Sequence, residues 1–196
     1  LRQGTPLFLG SRGAVLLALQ REAEALEVLE QAATLKPDDA SNWTRLGLAR
    51  SRCGDLDGGQ AAHDRALLLN PDSVDALINR GNLRERTDDI DGALTDLGKA
   101  RQLAPANPDI LNNLGFACLS GNRTEEAERW LDQCLEQSPD HAEAHLNRAH
   151  LLLVTGRFEA GWEEYEWRRR RAGWRTDRSQ GEIETRDLRR RPVARQ

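Results

Sequence analysis

The sequence of 196 residues contains no methionine, a single tyrosine and few aromatic residues, which together make up 5% of the chain. Apolar residues make up 38%, which is low for one large core but sufficient for a repeat protein, whose units bury only the faces they share. No stretch reaches the roughly 18 apolar residues of a membrane-spanning helix, so we expect a soluble, cytoplasmic protein. Because position 1 is not methionine, the chain is expected to be a fragment of a longer protein.

Signatures of catalysis are also missing. The chain has no glycine-rich phosphate loop, no HExxH or GxSxG motif and no paired metal-ligand motif. We therefore predict that it is not an enzyme and has no catalytic residue, cofactor, metal or small-molecule substrate. His141 and His145 are four residues apart and would share a helix face, but a zinc site needs further ligands, so we interpret both as surface histidines.

Cysteine is scarce, and the three cysteines are too widely spaced to form a CxxC pair. Cys53, Cys118 and Cys134 are interpreted as small buried residues of a protein in a reducing cytoplasm. A metal site or a redox switch is the alternative.

What the sequence does contain is a period of 34 residues. Four prolines follow this spacing: Pro37, Pro71, Pro105 and Pro139. Ten residues after the prolines stand Gly47, Gly81, Gly115 and Ala149. Twenty-two residues after them stand Gly59, Ala93, Ala127 and Gly161. Small residues at fixed positions predict closely packed helix pairs, because larger side chains would push the two backbones apart.

Turn-forming clusters separate the two helices of each predicted pair, as in "RCGDLD" at 52–57 and "RTDDID" at 86–91. The prolines are expected where the second helix ends, with a nearby Asp or Asn capping the helix that follows.

These features resemble the tetratricopeptide repeat family, most clearly in "NWTRLGLARSRCGDLDGGQAAHDRALLLNP". The resemblance covers residues 6–171 and implies an all-α fold, a right-handed superhelical solenoid of antiparallel helix pairs. The expected repeats are 6–39, 40–73, 74–107, 108–141 and 142–171. The first helix of the first repeat is expected to be short, and His145 replaces a large apolar residue.

In the family, the first helix of each repeat lines a concave groove that binds peptides. Asn79, Asn113 and Asn147 stand eight residues after successive prolines, and Arg45 takes the same position one repeat earlier. The row is similar to the asparagine ladder in the repeat region of O-linked N-acetylglucosamine transferase. An amide both donates and accepts hydrogen bonds, as a peptide backbone does, so the resemblance implies peptide binding at these residues. The alternative is that asparagine is only a polar filler on exposed helix faces.

Neighbouring positions extend the predicted peptide-binding site. They are Asn82, Asn112, Phe116 and His150. Asp75, Asp109 and Glu143 lie early in the same helices. These acids would favour a basic peptide terminus, or else they only complement the helix dipole.

The C-terminal end is basic, with eleven arginines and four acids in residues 168–196. Residues 172–196 are predicted to form a disordered tail or truncated linker, because the sequence "RTDRSQGEIETRDLRRRPVARQ" at 175–196 has almost no apolar residues. Nucleic-acid or membrane binding by this tail is the less favoured alternative. Just before it, Phe158, Trp162 and Tyr165 follow helical spacing and are predicted to pack the last helix onto its predecessor.

The segment "GRFEAGWEEYEWRRRR" is similar to the end of the repeats in bacterial proteins that combine tetratricopeptide repeats with a glycosyltransferase-like domain. We therefore hold two hypotheses. The first is a protein–protein interaction scaffold that binds an extended peptide or protein segment. The second is the substrate-recognition part of a bacterial glycosyltransferase whose catalytic domain is absent from this chain. Self-association through a terminal helix is a further expected partnership.

Overall fold

The computed structural model describes residues 6–170, which form ten α-helices and one 3₁₀ helix and contain no β-strand. These residues fall into two compact units, which divide between Asp140 and His141. The predicted tail at 172–196 lies outside the described residues. Within 6–170, every helix is too short or too polar to span a bilayer.

Eight helices form the first unit, and two helices with a 3₁₀ helix form the second. The first unit contains α1 Pro6–Ala18, α2 Glu22–Leu35, α3 Ala40–Arg52, α4 Leu56–Leu69, α5 Val74–Arg86, α6 Ile90–Leu103, α7 Pro108–Ser120 and α8 Thr124–Gln137. The second unit contains α9 Ala142–Val154, α10 Phe158–Tyr165 and the 3₁₀ helix Glu166–Arg170.

Successive helices pair, which confirms the predicted antiparallel hairpins. In the first unit, α1 packs on α2, α3 on α4, α5 on α6 and α7 on α8. The first helices of adjacent pairs also touch, so that α3 contacts both α1 and α5, and α5 contacts α7. In the second unit, α9 packs on α10.

Glycine permits the close contact inside each hairpin of the first unit. A Cβ added to Gly115 would lie 2.7 Å from Leu131 Cγ, and one added to Gly81 would lie 2.9 Å from Leu97 Cγ. Real side chains do not approach so closely, so an alanine would force the helices apart. Small residues on the second helices are buried as well: Ala66, Ala93, Ala100, Ala127 and Cys134.

The prolines and caps mark the helix boundaries as predicted. Each second helix of the first unit ends two residues before its proline, as α4 does at Leu69 before Pro71. Asp39 caps α3 and Asn107 caps α7, because each side chain accepts a hydrogen bond from a backbone N–H in the first turn. Ser73 and His141 act in the same way at the start of α5 and α9.

The turn inside each hairpin contains one residue with a left-handed backbone. These residues recur every 34 positions and are Gln20, Gly54, Asp88, Asn122 and Gly156, with φ between 56° and 91°. Only two of the five are glycine, the residue that adopts this conformation without steric cost.

Side chains at the C-terminal ends of the first helices link adjacent hairpins in the first unit. Arg52 donates a hydrogen bond to the carbonyl of Leu17 at 3.1 Å, and Arg86 donates to that of Ser51 at 3.5 Å. Each carbonyl also accepts a backbone N–H of its own turn, from Gln20 and Gly54, so the arginines add a second hydrogen bond that connects adjacent hairpins.

Several sequence predictions need correction. The first helix is not short, because α1 has 13 residues, as many as α3. Phe158, Trp162 and Tyr165 are 61%, 59% and 40% exposed, so they do not pack α10 onto α9. That contact uses Gly161 instead, where an added Cβ would lie 2.9 Å from Leu153.

The cysteines differ from one another. Cys118 and Cys134 are fully buried, as predicted, whereas Cys53 is exposed at the C-terminal end of α3. The prediction of a buried residue is therefore wrong for Cys53, which follows the last turn of its helix.

Candidate functional site

A cleft opens between the first helices α1, α3 and α5 of the first unit. Its volume is about 370 Å³. It is lined by Ala14, Leu17, Ala18, Thr44, Arg45, Leu48, Arg52, Asp75, Ile78 and Asn79. We call it the α1–α3–α5 cleft.

The floor of the cleft is apolar. Leu17 is buried, while Leu48 and Ile78 are half-buried. The small side chains of Ala14 and Ala18 complete the wall contributed by α1. This surface offers an apolar side chain of a ligand a place to leave water.

Three polar groups of the cleft have no hydrogen-bond or ion-pair partner anywhere in residues 6–170. They are the guanidinium of Arg45, the amide of Asn79 and the carboxylate of Asp75. Arg45 and Asn79 are half-buried, and Asp75 is exposed. Arg52 differs, since it donates to the carbonyl of Leu17. The unpartnered groups are therefore available to a ligand.

The structure brings two members of the predicted row together, since Arg45 and Asn79 line the same cleft. Asn113 lies on α7, outside that lining, and its half-buried amide has no partner within 6–170. Asn147 is half-buried on α9 in the second unit.

The neighbouring predicted positions divide by exposure. Asn82, Phe116 and His150 are exposed on α5, α7 and α9. Asn112 is only 9% exposed, so its side chain does not offer a free amide at the surface, contrary to expectation. Asn113 therefore lies on a different face of α7 from Asn112, the residue just before it.

His141 and His145 are not plain surface residues, which corrects that prediction. His141 Nδ1 accepts a hydrogen bond from the backbone N–H of Ala144 at 3.1 Å. His145 is buried, lies 2.5 Å from a carboxylate oxygen of Glu164 and stacks on Trp167 with ring centroids 3.7 Å apart. Over the described part of the chain, no three His, Cys, Asp or Glu side chains cluster as metal ligands would.

Sequence reasoning missed an ionic network between α4, α5 and α6. Asp96, only 3% exposed, accepts two hydrogen bonds from Arg80 at 2.6 and 2.8 Å and one from Arg84 at 2.9 Å. Arg80 also donates to Asp64 at 2.8 Å. The paired carboxylates raise the pKa of Arg80 further above its ordinary value, chiefly through the hydrogen bonds to Asp96. This network fixes the hairpin that carries Asp75 and Asn79.

A buried histidine lies beside this network. His63 on α4 is 1% exposed and packs against Gly47, where an added Cβ would lie 2.6 Å from its ring. Its Nδ1 has no hydrogen-bond partner. Burial, together with the charge of Arg80, lowers the pKa of His63 from 6.5 to about 4, so the imidazole is neutral at pH 7.

Family models described as tetratricopeptide repeat match residues 8–39, 44–108, 85–137 and 119–166. One of these models alone matches 44–108 and 119–166, which together exceed half of the chain. No curated protein sequence matches the chain.

Solved structures with the same fold include MamA of strain AMB-1, at 24% identity and a TM-score of 0.68, covering 81% of this chain and 94% of that one. PilF of Pseudomonas aeruginosa is 18% identical with a TM-score of 0.75, covering 93% and 86%. MamA from Desulfovibrio magneticus RS-1 is 19% identical with a TM-score of 0.71, covering 86% and 97%. At these identities the likeness shows the fold alone.

Proposed function

The chain belongs to the tetratricopeptide repeat family, and from this premise we propose that it is a protein–protein interaction scaffold that binds an extended peptide or protein segment along its first helices. The α1–α3–α5 cleft carries the proposal, because it combines an apolar floor with polar groups that have no partner within residues 6–170.

In this proposal the amides hold the backbone of the ligand. Asn79 and Asn113 each offer a donor and an acceptor, which match the carbonyl and N–H of an extended chain, and Asn147 is the third amide of the proposed row. An apolar side chain of the ligand occupies the floor formed by Leu48 and Ile78. Binding through the backbone would make recognition of the remaining ligand residues largely independent of their identity.

The test begins with a phage library of random decapeptides selected on the immobilised chain. We expect a recurrent group of peptides, whose dissociation constant is then measured by fluorescence polarisation. In the triple variant Asn79→Ala, Asn113→Ala and Asn147→Ala, binding should weaken by at least about tenfold, since each hydrogen bond contributes roughly 1 kcal/mol. Helicity by circular dichroism should stay near that of the wild type.

A matched control removes amides elsewhere. Gln31 on α2 and Gln102 on α6 are exposed on second helices, so Gln31→Ala with Gln102→Ala should leave the dissociation constant unchanged. Equal affinity of the triple variant and the wild type would favour asparagine as a polar filler and refute the row as a binding element.

A second candidate function is the recognition part of a bacterial glycosyltransferase. It is supported by the resemblance of residues 156–171 to the segment that precedes such domains, and by the exposed aromatic rings of Phe158, Trp162 and Tyr165 on α10. Rings exposed in this way are typical of a surface that contacts another domain. Sequencing the gene beyond codon 196 tests this candidate, and a stop codon directly there would count against it.

The same terminal helix is where we propose self-association, as an alternative use of its exposed rings. Sedimentation velocity over a range of protein concentrations tests it. The substitution Trp162→Ser should abolish any dimer, whereas Leu68→Ser, which removes an exposed leucine of α4, should not. A chain that stays monomeric at high concentration rules this contact out.

A further inference from the structure

The row of asparagines begins with an arginine, and this departure lies inside the α1–α3–α5 cleft. We propose that the cleft binds a peptide segment in which an apolar side chain lies next to a carboxylate, and that Arg45 pairs with this carboxylate. The inference rests on the proposed function, because it assigns the ligand chemistry of one end of the same groove.

The first support is the isolation of the Arg45 guanidinium. Arg50, Arg80 and Arg84, which are also half-buried in the first unit, all form ion pairs with acids of neighbouring helices or turns. Arg45 is half-buried as well but has no such partner within 6–170. A partly dehydrated guanidinium is stabilised most by a carboxylate, whose two oxygens match its planar fork.

The second support is the position of the guanidinium over α1. Its Nη1 atom would lie 3.8 Å from a Cβ placed on Gly10. Glycine leaves the long side chain of Arg45 room to extend along α1, at the edge of the apolar floor. Leu48, three residues further along α3, lies on the same side of that helix and lines the same cleft.

This spacing places a charged and an apolar subsite side by side. The cleft volume of about 370 Å³ is at the small end of the range for ligand pockets, enough for one or two side chains rather than a folded surface. The ligand that satisfies both subsites is therefore a short segment with adjacent apolar and acidic groups.

Asp75 does not supply the missing anion. It lines the cleft but forms no ion pair with Arg45. It lies instead in the first turn of α5, where the helix dipole stabilises a carboxylate. Arg45 thus has no paired anion in the described part of the chain, and in this proposal the carboxylate of the ligand supplies the complementary charge.

The test compares peptide selections from the random decapeptide library on three forms of the chain. On the wild type, we expect peptides enriched in Asp or Glu beside a Leu, Ile or Phe. On Arg45→Glu, the acidic preference should disappear and give way to Lys or Arg. The control is Arg65→Glu, which reverses an exposed arginine of α4 outside the cleft and should keep the acidic preference.

A binding cycle then identifies the pairing group. For one selected peptide, replacing its Asp or Glu by the amide should weaken binding about tenfold on the wild type and hardly at all on Arg45→Gln. Peptides ending in a free acid or an amide separate a side-chain carboxylate from a terminal one. Circular dichroism checks that each variant remains folded.

The outcomes separate this inference from the proposed function. Enriched peptides without an acidic preference, or with the same preference on Arg45→Glu, would overturn the role of Arg45 and leave the peptide-binding groove intact. Failure to enrich any peptide on the folded wild-type chain would overturn the proposed function and this inference together.

Discussion

The hairpins α5–α6 and α7–α8 share one backbone arrangement but fill the same interior positions with opposite chemistry. In α5–α6 these positions hold Arg80 and Asp96, joined by two hydrogen bonds. The equivalent positions of α7–α8 hold Leu114 and Trp130, which both pack into the apolar core. Glycine at Gly81 and Gly115 lets both helix pairs approach closely, so the contact tolerates either an ionic or an apolar filling beside it.

The equivalent positions of the other hairpins from α3 onward also hold either an apolar pair or an ionic pair. The equivalent pair in α3–α4 is Leu46 with Ala62, and both residues are buried. In the second unit the pair is Arg148 with Glu164, whose charged atoms are 3.7 Å apart. Apolar and ionic pairs therefore alternate from α3 onward. A buried ion pair stabilises less than well-packed apolar groups, but it penalises any arrangement that separates its charges.

The largest expected effect on stability comes from removing one charge of the ion pair inside α5–α6. The substitution Asp96→Ala leaves Arg80 and Arg84 without their shared carboxylate, which is expected to reduce the free energy of unfolding by roughly 3–5 kcal/mol. The double variant Arg80→Leu with Asp96→Ala recreates the Leu46–Ala62 pair of α3–α4 and should recover most of this loss. Urea denaturation measures both, and a double variant no more stable than the single one would contradict the interchange of the two chemistries.

Lowering the pH should show that His63 is tolerated at a buried, otherwise apolar position only while its imidazole is neutral. His63 takes the position held by Leu97 and Leu131 in the next two hairpins. Because its pKa is about 4 when folded and ordinarily 6.5, the unfolded chain binds the proton first. Its stabilising effect is full above pH 6.5 and is lost as the pH falls to 4, a change of about 3 kcal/mol at 1.36 kcal/mol per pKa unit.

The control for this prediction is His63→Leu, which matches the other hairpins. Urea unfolding at pH 7, 6 and 5 should show a smaller loss of stability for this variant than for the wild type. Parallel curves for the two proteins would mean that carboxylates, rather than His63, determine the acid sensitivity.

The smallest expected effect on stability concerns glycines, which either do or do not lie against a neighbouring helix. Gly115→Ala places a Cβ 2.7 Å from Leu131 and should cost about 1–3 kcal/mol of stability, because α7 and α8 must separate. Gly98→Ala in α6 meets nothing within 4 Å and should instead stabilise by about 0.5–1 kcal/mol. Thermal unfolding distinguishes the two signs, and destabilisation of similar size at both positions would show that space is not the cause.

The hairpins were predictable because their determinants lie at fixed distances along the sequence. Prolines, glycines and capping residues repeat every 34 positions, and each acts on its own turn or on the helix it faces. The meeting of Arg45 and Asn79 in one cleft follows from the same period. The row at Asn113 and Asn147 stays a prediction.

The residues missed are those whose surroundings depend on neighbours remote in sequence. Arg80 and Asp96 are 16 positions apart, and each alone resembles an ordinary surface charge. Comparing the positions equivalent to Arg80 and Asp96 as pairs would have revealed them, because both positions carry charged residues in the same hairpins. Phe158, Trp162 and Tyr165 misled for the opposite reason, because helical spacing shows that residues share a face but not which face is covered.

The exposed thiol of Cys53 gives the unmodified chain a single attachment point for a dye. Burial raises the pKa of Cys118 and Cys134 to about 11 and shields both sulfurs, whereas Cys53 is accessible. A maleimide fluorophore at neutral pH would therefore label Cys53 alone, one residue after Arg52, which lines the α1–α3–α5 cleft. Its emission would report arrival of a ligand there without any engineered cysteine.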